Sequence, residues 1–185
     1  MISIASLWLP ILLSSVAVFA VSTLMHTVLG YHWNDVQRLP QEDAVLDALR
    51  SLKVEAGDYG MPRPDSMQQM RSPENVAKFK QGPLVFMTVM GGGFAMGRSM
   101  AQWFVYLLLV STCCAYIASR ELVVATPYLA VFRLTGFSAF MAYSLALPQA
   151  SIWYQRNWRL TLVAMADGLV FAALTGGMFG WLWPR

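Results

Sequence analysis

Apolar residues run almost unbroken through four stretches of the chain, and polar residues gather in one block between the first and the second. The stretches cover residues 4–29, 100–119, 127–147 and 160–182. Each is long enough for a membrane helix, since about 20 residues rising about 1.5 Å apiece match a hydrocarbon layer of about 30 Å. The pattern predicts an all-α integral membrane protein. It has a transmembrane helix within 1–30, a polar cytoplasmic insert of short helices at 31–99, and a three-helix membrane body at 100–185. Helix starts are marked by Ser99 with Gln102 at capping-box spacing, by Thr126 before Pro127, and by Asn157. Trp8, Trp33, Trp103, Trp153, Trp158, Trp181 and Trp183 fall at or near the predicted span ends, as do Tyr31, Tyr128 and Tyr154. Interfaces favour such rings, which are apolar in body and polar at the tip. No Lys or Arg precedes the first apolar run, so an uncleaved span is expected rather than a signal peptide.

Inside the polar block the period changes. Residues 40–52 read as a short amphipathic helix, with Pro40 at its start, Glu42 and Asp43 in its first turn, and Val45, Leu46, Leu49 and Leu52 on one stripe. Ser72, Pro73 and Glu74 open a second helix that Gly82 stops. Residues 57–66, rich in Gly, Pro and Asp, read as an irregular loop. Residues 83–90 form an apolar run of strand character. Two short helices cannot bury a core of their own, so the block is expected to lean on the membrane, the spans or another protein.

Charge sharpens this division. Sixteen of the 23 charged side chains lie within 31–100, and the other seven are Arg120, Glu121, Arg133, Arg156, Arg159, Asp167 and Arg185. A composition so uneven excludes a soluble enzyme, a disordered tail and a disulfide-knit secreted module. The net charge of +3 does not indicate nucleic acid, because the block itself holds eight basic and eight acidic residues. If the N-terminus lies outside, 31–99 and 148–159 carry ten Lys/Arg against two on the outer side. The positive-inside rule therefore puts both termini outside and 31–99 in the cytoplasm, in what is expected to be a bacterial inner membrane. Cys113 and Cys114 are neighbours on a helix and poorly placed to bridge each other.

Candidate chemistry is sparse. Gly92, Gly97, Arg98 and Ser99 have the spacing of a phosphate-binding loop, but a nucleotide site needs a parallel sheet for which the chain has no room. Gly97, Arg98 and Ser99 at a helix start can instead meet a lipid phosphate, or simply form a turn with a snorkelling Arg. Arg133 and Asp167 are the two charges within spans, where a charge asks for a reason. They can pair, or each can snorkel to its own interface. His26, near the end of the first span, is the candidate for haem or quinone contact. His32 and Asp35 follow it, but helical spacing puts His26 and His32 about 120° apart, so no metal site is expected.

Ala164, Gly168, Ala172, Gly176 and Gly180 recur every four residues as a ridge of small side chains, with Ser138, Ala142 and Ala146 at the same spacing on the third span. Such ridges let helix backbones approach closely, within one chain or between subunits. No nucleophile–base pair or paired carboxylate appears, so catalysis is not expected without a cofactor or partner. The expected role is an accessory or assembly subunit of a larger membrane complex, for example respiratory or photosynthetic. The expected partners are the bilayer and other membrane subunits or further copies of the chain. An oligomeric transporter or channel, and a haem- or quinone-contacting redox protein, are the alternatives.

Overall fold

The computed structural model describes residues 2–33, 35–93 and 95–185. The chain divides into two compact units, Met1–Val36 with Ala95–Arg185, and Gln37–Phe94. The first holds four helices long and apolar enough to cross a membrane. A 3-10 turn at Ile4–Leu7 leads into α1 (Trp8–Thr27). In the second unit, α2 (Glu42–Ser51), β1 (Gly57–Met61), α3 (Met67–Met70), α4 (Pro73–Gln81) and β2 (Val85–Val89) follow. The chain then returns to the first unit as α5 (Met96–Glu121), α6 (Tyr128–Ser144), α7 (Pro148–Tyr154) and α8 (Trp158–Trp181).

Contacts define an antiparallel order in the helical unit. Ser14 and Ser15 of α1 both donate to Ser111 Oγ of α5 at 3.1 Å, and Trp103 Nε1 donates to Ser22 Oγ at 3.0 Å. Tyr106 of α5 donates to the Ala142 carbonyl of α6 at 3.3 Å. The closest pairing is α6 with α8. A Cβ on Gly176 would lie 2.8 Å from the Phe132 carbonyl oxygen, and one on Gly180 2.7 Å from the Tyr128 ring. One on Gly168 would run into Ser144 Oγ. Only bare backbone fits at these positions, so van der Waals contact along this seam is close. The facing surface of α6 is therefore Tyr128, Phe132, Gly136 and Ser144. Ala142 and Ala146, which share the ridge spacing in sequence, are instead exposed. The α6 surface that meets the α8 glycines carries no matching fourfold repeat of small residues.

Helix ends follow local chemistry. Asn157 caps α8 by accepting from Arg159 N at 2.9 Å. Ser99, expected to cap a helix, instead sits inside the first turn of α5, which begins three residues earlier. Thr126 does not cap α6 either: its hydroxyl exchanges hydrogen bonds with Val123, and Pro127 is the residue before the helix. The third apolar stretch runs on to Tyr154, past the expected end at 147. Pro148 has no N–H to give to Ser144, and Leu147 N takes that carbonyl at 3.1 Å, so the stretch breaks into α6 and α7 and remains helical. Two of the seven tryptophans turn inward. Trp103 is bonded to Ser22, and Trp183 is buried with its N–H on the Val123 carbonyl at 3.0 Å.

The unit Gln37–Phe94 corrects the all-α expectation. β1 and β2 pair antiparallel with Gly57 opposite Val89 and Met61 opposite Val85, so the stretch read as a loop supplies a strand. The sheet has two strands, and Thr88 Oγ1 donates to Asp58 Oδ1 across it at 2.6 Å. Ser72 caps α4 through Asn75 N at 3.3 Å, and Gly82 ends it at φ 61°, a left-handed value that suits glycine. Lys78 beside Glu74, at 2.7 Å, holds that exposed carboxyl below its ordinary range. Val45, Leu46 and Leu52 of the amphipathic stripe on α2 are exposed.

Candidate functional site

Polar groups inside the helical unit sort into two kinds. Most are Ser and Thr hydroxyls that return to a carbonyl of their own helix, such as Thr135 to Val131 at 2.8 Å and Thr175 to Phe171 at 2.9 Å. These satisfy themselves and need no partner element. The second kind is a cluster of ionisable side chains drawn from α1, α8 and the turn after α1.

That turn creates the cluster. α1 finishes at Thr27, and Gly30 at φ 63° takes a left-handed conformation that redirects the chain. Tyr31 and His32 are thereby laid against α8. Asp167, the tenth residue of α8 and about 14 Å along it, receives both of them. Tyr31 donates to Asp167 Oδ1 at 2.5 Å, and His32 Nε2 lies 2.8 Å from Asp167 Oδ2. His32 Nδ1 lies 2.6 Å from Asp35 Oδ2, so one imidazole bridges two carboxylates. His26 stacks on His32 with ring centroids 4.4 Å apart and planes 11° apart. Its Nδ1 meets the Ser22 carbonyl at 2.8 Å, and Ser22 Oγ in turn takes the Trp103 N–H. Burial, and then the carboxylates of Asp167 and Asp35, push the Tyr31 phenol well above its ordinary range, so it stays a donor.

The burial is graded. The Asp167 side chain is 9% exposed, His32 17% and Asp35 19%, while His26 is on the surface. Asp35 Oδ1 is buried with no hydrogen-bond partner among the described residues. Arg133 takes no part: it is exposed and forms no ion pair among the described residues. Asp167 thus finds its answer in the turn after α1 rather than in the arginine of the neighbouring span. Gly97, Arg98 and Ser99 lie in the exposed first turn of α5.

Helical periodicity separates His26 from His32 only while the helix continues, and α1 ends at Thr27. Gly30, a stop signal just after the apolar run, was the clue that the two need not share a helix. Tyr31, Ser22 and Trp103 carried no signal beyond their positions near span ends.

Four long apolar helices in antiparallel contact, with one cluster of ionisable groups, define the chain as a multi-pass membrane type of fold. Comparison with known proteins gives no closer placement: no family model, no curated protein and no solved structure matches the chain.

Proposed function

We propose that the chain is a small multi-pass subunit of a bacterial inner membrane that packs into a larger membrane complex. Both termini lie outside and residues 31–99 face the cytoplasm. One observation carries the reading: the helical unit has a filled interior inside an apolar exterior. Leu7, Val18, Leu107, Val131 and Phe179 are fully buried, and Ser14 and Ser15 of α1 donate across to Ser111 of α5. Fully buried side chains between the helices favour packing over transport. Outside, no more than 39% of any span's apolar window is buried within the chain. The remainder is surface for lipid and for neighbouring subunits. The Lys/Arg distribution supports the orientation.

Gentle solubilisation from native membranes, followed by mass spectrometry of what co-purifies, tests this. The expected result is a particle much larger than 20.6 kDa, with other polypeptides in fixed ratio to this chain. A homo-oligomer with no partners would contradict it and favour transport. A coloured particle whose Soret band disappears in His26→Ala would favour the redox alternative.

A further inference from the structure

We infer that His26, His32 and Asp167 form a site for one first-row divalent transition-metal ion of the zinc type. One ligand atom from each of the three residues lies within 4.8 Å of the other two. A tetrahedral zinc ion with bonds of about 2.0–2.1 Å sets its ligands roughly 3.3 Å apart. The His32 Nε2 and Asp167 Oδ2 atoms, at 2.8 Å, are already close to that edge. His26 is the ligand that has to approach: its exposed ring lies parallel to that of His32, and a tilt about the Nδ1–Ser22 contact turns Nε2 toward the ion.

The surroundings are those of a ligand set. His26 Nδ1 is taken by the Ser22 carbonyl, which fixes the proton there and leaves Nε2 with a bare lone pair. His32 Nδ1 is held by Asp35, the carboxylate–histidine arrangement that orients a metal-bound imidazole and raises its basicity. Tyr31 holds the other Asp167 oxygen, leaving Oδ2 for the ion. Each ligand therefore has an outer partner, and the three come from α1, the turn after it, and α8.

Charge balance points the same way. Two carboxylates, Asp35 and Asp167, meet here, and among the described residues neither is paired with Lys or Arg. A single divalent ion in place of the proton between His32 and Asp167 brings two neutral imidazoles and two carboxylates to zero net charge. Two imidazoles and one carboxylate suit zinc, iron(II) or cobalt(II) rather than calcium or magnesium, which prefer all-oxygen sets. Three protein ligands leave a position for water or another exogenous group.

The full chain, purified in detergent on a tag without histidine, is stripped with chelator and titrated with Zn2+ alone. Co2+ serves as a parallel probe for its visible d–d absorption. The expected result is about one zinc per chain and a tetrahedral-type cobalt spectrum. His26→Ala is the decisive variant, because that ring is exposed and its loss leaves the buried Asp167 contacts in place. It should keep the wild-type melting temperature of the metal-free protein and bind zinc at least 100-fold more weakly. Asp35→Asn, which removes only an outer partner, should weaken binding by 10–100-fold. Wild-type protein that takes up no zinc would overturn the inference. So would a folded His26→Ala variant that binds zinc as tightly as wild type, since the ion would then sit elsewhere.

Discussion

Adding one methyl group at Gly176 is expected to cost the helical unit about 2 kcal/mol, within the range for overpacking a close contact. The new Cβ would stand 2.8 Å from the Phe132 carbonyl oxygen and 3.1 Å from Gly136 Cα. Both are backbone atoms, so no rotamer change relieves the clash and α6 and α8 must move apart. Gly176→Leu should go further and prevent the native pairing. Neighbouring glycines make this a sharp comparison. A Cβ on Gly177 meets Tyr128 Oη at an ordinary 3.7 Å, and one on Gly97 meets nothing within 4 Å. Gly177→Ala and Gly97→Ala should therefore leave stability unchanged or raise it by a few tenths, because alanine is the better helix former. Arg133→Ala, at an exposed position, should also be small. Thermal unfolding in one detergent ranks the series. If Gly176→Ala melts with Gly177→Ala, the seam between α6 and α8 is not the close contact described.

The second large effect is at Asp167. Asp167→Leu removes the acceptor of Tyr31 and one of the two acceptors of His32 in a single step. Truncating one member of a buried ion pair costs about 3–5 kcal/mol, because the other is left without its partner. Hydrogen bonds between membrane helices contribute far less, about 0.6 kcal/mol on average. The cluster lies between these cases, since His32 keeps Asp35 and is 17% exposed. A loss of about 2–3 kcal/mol is expected, toward the lower figure for a buried pair. Asp167→Asn keeps an oxygen for Tyr31 and should lose less. The damage should also be local, with Tyr31 and His32 released from α8, so hydrogen exchange there should accelerate before the rest of the unit is affected. Unchanged exchange at Tyr31 and His32 in Asp167→Leu would show that the turn is held by something else.

These two residues show which features were legible in sequence. Gly176 stands in a repeat that announces itself by period. The four apolar stretches were equally plain, because membrane length and hydropathy act over 20 residues at once and average out local exceptions. Features decided by a single partner were not. Gly57, Asp58 and Gly60 are poor strand residues, and they form β1 because the apolar strand β2 pairs with them. Gly136 belongs to no repeat that stands out on α6, yet a Cβ there would meet the Ala172 carbonyl of α8 at 3.4 Å. The cluster around Asp167 was hidden for a related reason. Within the apolar stretches Arg133 is the one other charge that the sequence sets beside Asp167. The actual partners of Asp167 lie in the turn beyond Thr27, whose direction depends on one backbone angle at Gly30.

The uncovered faces of this bundle are where the proposed partner polypeptides would sit. Phe137 on α6 and Leu169 on α8 are mid-helix positions, 61% and 58% exposed. A photo-crosslinking amino acid placed at each in turn, and activated in intact native membranes, reports directly what lies against them. The account predicts that at least one position gives a discrete adduct with a different polypeptide, in good yield and reproducible mass. Adducts to lipid alone at both positions, or only to a second copy of this chain, would contradict it.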